Sequence, residues 1–461
     1  MKRINNIFLF VLAANLATAQ VSADRLDTKE EILARIQAPV FPDSRFAVTD
    51  FGAVGDSASN NKPAFDAAIQ ACRAAGGGTV IVPVGTYLLD GPIHLESNLN
   101  LHLEEGALIR FSANPRSYLP IVKTSWEGTL LYNYSPFIYA FGKENIAITG
   151  KGTIDGNGSA YFTRWYEIQG KDQRLSRRMN HKNVPVEERR FGRGHYLRPH
   201  LIQFFDCKNI LVEDLHIQDS PFWCIHLLMC ENATLRGLTF DAQNKNNDGI
   251  DPEYCKDILI ENVNFNNSND NISVKAGRDH EGRDMQRPSE NIIIRNCSFK
   301  GRHAVAIGSE MSSGVRNVYI EDCRFSDYIT RGIMLKSNPS RGGIISDIYV
   351  NNFRFGEVHD CFMVTSNYRN EGKKHPPTIK NIYISNVTCQ RVRNFGIYIK
   401  GHKRNHVSDI HIENFRVDQA KRTVFVDFAE SVNFKDTQVN NEEIKWDPAV
   451  FRKNKYRAYN Y

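Results

Sequence analysis

At 461 residues the chain is long for one compact core, yet no Pro-rich, Ser-rich or low-complexity stretch divides it, which argues against two globular domains and for one elongated repeat domain. A net charge of +6 is modest for this length; it mildly favours an anionic partner, and no nucleic-acid partner is expected. Nine cysteines, scattered and odd in number, exclude a disulfide scaffold and a zinc site and read as buried core thiols.

In chain order, Lys2 and Arg3, the apolar run from Ile7 through Leu16 and the small residues Ala17-Thr18-Ala19 predict a cleaved signal peptide over residues 1–19. The apolar part is too short to span a bilayer and no later stretch approaches the required length. A soluble protein exported to the periplasm or the medium is expected. Residues 20–44 read as a polar, extended lead-in. The main domain is placed at 45–440, with a basic tail over 441–461. Lys62 to Ala75 sets Ala64, Ala67, Ala68, Ala71 and Cys72 at helical spacing and stops at Gly76-Gly77-Gly78. Such a helix would cap the open end of a stack. Short strands follow at Thr79 to Pro83, Thr86 to Leu88, Asn98 to Leu103 and Ala107 to Phe111.

From Asn145 onward a repeat becomes explicit, as in Asp257-Ile-Leu-Ile-Glu-Asn-Val-Asn-Phe, Asn291-Ile-Ile-Ile-Arg-Asn-Cys-Ser-Phe and Asn317-Val-Tyr-Ile-Glu-Asp-Cys-Arg-Phe. Apolar residues fill positions two and four, then resume at seven and nine, so the strand bends at position six, where Asn or Asp recurs. A second strand set alternates with the first: Asn271 to Ala276, Ala304 to Ser309, Gly332 to Ser337, Cys361 to Ser366, Gly396 to Gly401 and Val424 to Phe428. Copies recur every 23 to 34 residues, the period of a solenoid. The predicted fold is all-β, a right-handed parallel β-helix with an N-terminal capping helix. The basic, aromatic-flanked stretch Trp165 to Pro199 interrupts the repeat and reads either as a solvated loop or as a groove wall.

Stacking makes residues one coil apart into neighbours, so Asp248, Asp251 and Asp270 are expected on one surface, with His303 and Glu310 one coil on. Alternation places Lys275, Lys336 and Lys400 at one outward position on different coils, a candidate row for holding carboxylates. Paired carboxylates on a rigid surface suit acid/base cleavage of a sugar linkage.

The segments NNDGIDPE, SNDNISVKAG, GRHAVAIGSE and RGIMLKS, together with FGAVGD and the triple glycine before VIVPVGTY, resemble glycoside hydrolase family 28, the polygalacturonases and their relatives, over roughly Val48 to Val426. The resemblance implies inverting hydrolysis of pectic glycosidic bonds without metal or cofactor, and an acidic plant-type polysaccharide or oligosaccharide as partner of a monomeric protein. It also implies that Asp248 is the water-activating base. The family's adjacent Asp-Asp falls on Asn269 and Asp270, so the usual proton donor is an amide here. Its Gly-His-Gly falls on Gly301-Arg302-His303, which moves the His by one residue and puts Arg302 in its place. Its Arg-x-Lys becomes Met334-Leu335-Lys336, and a substrate or subsite other than plain homogalacturonan is expected from the lost Arg. Catalysis is therefore assigned to Asp248 and Asp270, with Asn269 at the substituted acid position and Asp270 or Glu310 as the acid. Substrate contacts are assigned to Lys336, Lys275, Arg302, His303, Glu310 and Asp251. A β-helix that binds acidic glycans with little or no catalysis, and a pectic polysaccharide lyase, are the competing readings.

Overall fold

The computed structural model describes residues 25–447. The predicted signal peptide and most of the basic tail lie outside the described residues.

Each coil of the chain hydrogen-bonds in parallel to the next, from Arg45–Ala47 on Gly78–Val82 through to Ser408–Asp427 on Val432–Val439, giving a right-handed parallel β-helix. The apolar slots stack as their spacing predicts. Ile258 pairs with Ile292 and then Val318, Ile260 with Ile294 and then Ile320, and Phe265 with Phe299. All of them are buried in one core that runs from Val48 to Val439. Full burial of such a side chain contributes about 1.5 to 3 kcal/mol, so ladders repeated over every coil supply most of the driving force. All nine cysteines are free and buried.

The bend at position six is a left-handed residue, with φ +55° at Asn262, +53° at Asn296 and +54° at Asp322. Position one adopts the same conformation, with φ +56° at Asp257 and +59° at Asn291. Asn and Asp tolerate this region better than other residues with a Cβ, which explains their recurrence at both places. Their side chains also bridge coils: the amides of Asn209 and Asn145 donate to Asn145 and Asn98 at 2.9 Å each.

The capping helix spans Lys62–Ala74 and buries Ala64, Phe65, Ala68, Ile69 and Cys72. The lead-in, expected to be extended, holds a second helix at Lys29–Arg35, opened by a capping box between Thr28 and Glu31. It lies on the outside of the solenoid, where Ile32 packs on Leu259 and Ile293 and Arg35 meets Asp257 at 2.8 Å. Seven residues with one fully buried side chain leave too little periodicity to be read as a helix.

The interruption at Trp165 to Pro199 is a wall rather than a solvated loop. It contains helices Trp165–Ile168 and Gly170–His181. Against it stands an antiparallel hairpin, Val122–Trp126 and Thr129–Asn133, joined by Arg190–Phe191 into a three-stranded sheet. Hairpin and insertion share a small core of their own with the coils: Trp126, Leu131, Phe191, Leu197, Phe222 and Trp223.

Candidate active site

The pocket lies where this wall meets the coils. Its floor comes from Ile250–Glu253, Asn264–Val274, Ser298–Ile307 and the end of Val315–Lys336. It is lined by Asp248, Asn269, Asp270, Lys275, Glu310 and Lys336, with Glu127, Arg177, Trp223, Arg341, Tyr368 and Arg369 around them. Register explains the lysine row. Glu253 bridges to Lys275, and Lys336 pairs with Thr365, which pairs with Lys400. Lys275 and Lys336 reach the pocket; Lys400 keeps the register but does not line it.

Lys275 is buried among three carboxylates, 3.3 Å from Asp251, 3.6 Å from Asp248 and 3.9 Å from Glu310. Burial works against its charge, yet these acids carry its pKa above the ordinary lysine range. Its ammonium also lies 4.4 Å from the centre of the Trp223 ring. Lys336 donates to Asp270 at 2.7 Å.

The two aspartates facing the pocket sit in opposite electrostatic settings. Burial, aided by the nearby Asp270 charge, pushes Asp248 up to about 7, and Lys275 and the Asn269 amide keep it from rising further. That amide donates to Asp248 Oδ1 at 2.7 Å, so the proton of a neutral Asp248 sits on Oδ2. Burial also opposes ionisation of Asp270, but Lys336 and His303, the latter at 2.5 Å from Oδ1, hold it well below the carboxylate range. Burial lowers His303, which therefore donates Nδ1–H as a neutral ring while Lys336 supplies the charge.

Several expectations change. Asp248 is expected as the base and Asp270 or Glu310 as the acid, but Asp270 and Glu310 are held ionised and Asp248 is the carboxyl pushed up, which reverses the roles. For Glu310, burial is outweighed by Arg278 at 2.9 Å, by Lys275, and by Arg341 at 3.6 Å. His303 faces Asp270 on the expected surface, but Arg302, expected as a substrate contact, is exposed and lines no part of the pocket. The alternation that hides one residue shows its neighbour, and the strand is irregular between Asn267 and Asp270, which resets the side that each residue faces. Asp251 is fully buried, so it meets Lys275 beneath the floor instead of a substrate. Burial raises its carboxyl well above the ordinary range.

The hairpin part of the wall was not foreseen. Glu127 and Gly128 form the hairpin tip, and Gly128 accepts a hydrogen bond from the Arg278 backbone at 2.9 Å. Gly128 has φ +79°, and a Cβ there would come within 2.9 Å of Glu310 and Arg278, so only glycine lets the tip approach this closely. The Glu-Gly pair between Trp126 and Thr129 was the available signal, a turn between two strand-forming runs. Arg177 comes from the insertion helix and pairs with Glu127 at 3.0 Å. Beneath the tip, Thr124 donates to Gln203 at 2.7 Å, Gln203 to His226 at 2.8 Å, and His226 to Glu253 at 3.0 Å.

The arrangement offers one carboxyl that is protonated up to near neutrality, one carboxylate that stays ionised, and a cationic surround. Such a pair performs acid/base cleavage of a glycosidic bond.

Comparison with known proteins agrees. The description "Glycosyl hydrolases family 28" matches residues 79–440, and a rhamnogalacturonase A/epimerase, pectate lyase-like segment matches residues 45–102. The structure resembles a hyperthermoactive exopolygalacturonase from Thermotoga maritima with a TM-score of 0.86 and 36% identity, over 90% of this chain and 96% of that one. A probable polygalacturonase of Vitis vinifera is 28% identical over 364 residues, 75% of this chain and 69% of the relative. An endo-polygalacturonase of Pectobacterium carotovorum subsp. carotovorum is 26% identical over 317 residues, 66% of this chain and 71% of the relative. With three-quarters of its length inside the family's match and a protonatable and an ionised aspartate facing one pocket, the chain belongs to glycosyl hydrolases family 28 and is a glycoside hydrolase.

Proposed function

We propose that this protein is an exported hydrolase that removes galacturonate units from the ends of pectic chains, with Asp248 as proton donor and Asp270 as the carboxylate that activates water. The observation that carries the reading is that both aspartates face one pocket in opposite settings, Asp248 buried against the Asn269 amide and Asp270 held by Lys336 and His303. Asp248 Oδ2–H protonates the glycosidic oxygen as the bond from the anomeric carbon breaks. Water attacks that carbon from the other face, and its proton passes to Asp270; exchange with solvent then restores both groups. Asn269 keeps the family's position but acts by orienting Asp248, since an amide holds no transferable proton. Action from the chain end is supported by the hairpin tip and the insertion helix, whose Glu127 and Arg177 line the pocket and pair at 3.0 Å. The Thermotoga relative, named an exopolygalacturonase, supports the same reading. Arg177, Arg341, Arg369 and Lys336 supply the positive surround that a uronate needs, in place of the Arg that Met334 replaces.

The test is the pH profile of kcat/KM on polygalacturonate, with product sizing from the first minutes. The acid must be protonated, so activity is expected to fall as pH rises through about 7, the value to which burial carries Asp248. Asp270 stays ionised below the usual carboxylate range, so the acid limb lies low. Asp248→Asn is expected to abolish turnover, and Asn269→Asp to retain or raise it by adding a further carboxyl at the family's acid position. Monogalacturonate as the sole early product is expected; an early ladder of oligomers would sink action from the chain end. An alkaline limb that stays near pH 7 in Asn269→Asp with Asp248→Asn would remove Asp248 from the acid role.

A further inference from the structure

Away from the pocket, the row of outward side chains that follows the bend of each coil is basic. Ser298 pairs with Arg324, Arg324 with Arg354, Arg354 with Thr388 and Thr388 with Arg416, one above the other on successive coils. Stacked strands lie about 4.8 Å apart, so Arg324 and Arg354 hold like charges directly opposite each other, an arrangement that destabilises a sheet unless an anion lies between them. Both are exposed, as is Arg391, and among the described residues none of the three has a carboxylate within 4.0 Å. The neighbouring charges are committed: Lys300 to Asp327 at 3.5 Å and Arg393 to Glu357.

This row borders a surface groove. Asn264, Ser298, Lys300, Arg324, Arg354 and Thr388 line a cavity of about 650 Å³. The next residues along the same coils, Glu357 and Arg391, open a second of about 550 Å³ that continues past Arg393 and Lys421. Asn264 and Phe265 belong to the strand Asn264–Val274, which carries Asp270 into the active site. Four residues lie between Phe265 and Asp270, a reach of roughly 17 Å in extended chain. The groove and the active-site pocket share no lining residue, so the groove flanks the catalytic strand without sharing its pocket.

We infer that this groove is a second, non-catalytic binding site for a polyuronate, holding a remote segment of the polymer whose end is being trimmed. The choice of ligand rests on the proposed pectic substrate and on charge: a polyuronate carries a carboxylate on every sugar, and the unpaired guanidinium groups of Arg324 and Arg354, stacked on successive coils, meet it in bidentate fashion. Two sites on one polymer turn the second contact into an intramolecular one, which raises occupancy of the pocket without a new contact there.

The experiment compares the full-length protein with Arg324→Gln/Arg354→Gln and with Arg324→Lys/Arg354→Lys. Three readouts are used: retardation in gels containing polygalacturonate or neutral galactan, KM on polygalacturonate, and kcat/KM on trigalacturonate. The Gln pair is expected to lose five- to tenfold in polygalacturonate affinity and to raise KM on the polymer to a similar degree. Its activity on trigalacturonate and its Tm should stay at the parent's level, or Tm should rise as the like charges are removed. The Lys pair should keep most of the retardation, because it keeps the charge. Unchanged retardation of the Gln pair, equal loss on neutral galactan, or a parallel loss on trigalacturonate would overturn the groove. If the parent hydrolyses no galacturonide yet is retarded by polygalacturonate, and the Gln pair is not, the groove stands and the proposed activity falls.

Discussion

Downstream of the pocket, the strands Val315–Lys336, Ile344–Thr365, Thr378–Lys400 and Ser408–Asp427 run 20 to 23 residues each and pair in register with one interruption per coil. Upstream stands a wall of hairpin and helices with its own small core and a buried, mostly neutral polar network. The direction of that network can be deduced. Thr124 has only its hydroxyl proton to give to Gln203 Oε1, so Gln203 donates to His226 Nδ1, and His226 Nε2–H points at Glu253. Burial fits this assignment, pushing His226 down to about 3, so that the ring stays neutral. The coils hold charge by stacking it: Asp270, His303 and Lys336 come from three successive coils. The wall holds shape. The difference teaches a division of labour, in which chemistry belongs to the coils and access belongs to the wall.

Asp270→Asn is the largest expected effect on the coil side. In the proposed mechanism, losing the ionised carboxylate removes the group that accepts the water's proton, and turnover should fall by about 10² to 10⁴. Binding of a short galacturonide by the folded variant should change far less. Loss of binding in step with turnover would erase the division between coils and wall.

Glu281→Gln is the matching strike at the wall. Glu281 is 10% exposed and Arg189 2%, and they form an ion pair, while the other Glu281 oxygen accepts from the Leu130 backbone at 2.7 Å. Removing one charge strands a buried guanidinium, at about 3 to 5 kcal/mol. Denaturant unfolding should show this loss, with KM raised more than kcat is lowered, because the hairpin tip loses its anchor. A fall in kcat with KM unchanged would place the wall in the chemistry.

The coils were largely legible in the sequence and the wall was not, for a physical reason. Ile258, Ile292 and Val318 recur at one place in a repeat because stacking demands it, and Asn or Asp recurs at the bends because the left-handed backbone demands it. Asp248, Asp270 and Lys275 followed from the same geometry. Position one is as strictly left-handed as position six, but an Asn or Asp at a strand's start looks like ordinary turn chemistry. The hairpin has no repeat to announce it: Thr124 and Ser125 meet the coil residues Gln203 and Glu253 across a long separation in sequence, only after folding. His303 followed from stacking as well, whereas Arg302, its neighbour in the strand, is exposed away from the pocket, as alternation requires.

Ile320→Ala probes the coils where no charge is involved. Ile320 is fully buried in the ladder with Ile294 and Val350, and its truncation should cost about 2 to 5 kcal/mol. Activity of the folded fraction should be unaltered at 25 °C. A change in KM would mean that the coils' core, and not only the wall, sets the pocket's shape.

Glu357→Gln is the smallest effect and sharpens the comparison most directly, because it repeats the Glu281 substitution in the other region. Glu357 pairs with Arg393 across adjacent coils, but its side chain is 30% exposed and that of Arg393 53%. Water already solvates both groups, so the attraction is screened and the two side chains lose freedom in meeting; exposed pairs contribute about 0.2 to 1 kcal/mol. Arg393 keeps a second support in the Tyr328 ring, 4.1 Å from its guanidinium, which remains when the carboxylate is gone. The same chemical change should therefore cost several-fold less here than at Glu281, and should leave KM on trigalacturonate untouched. Equal losses at the two positions, measured by denaturant unfolding at one ionic strength, would show that burial does not separate wall from coils and that both draw on ion pairs alike.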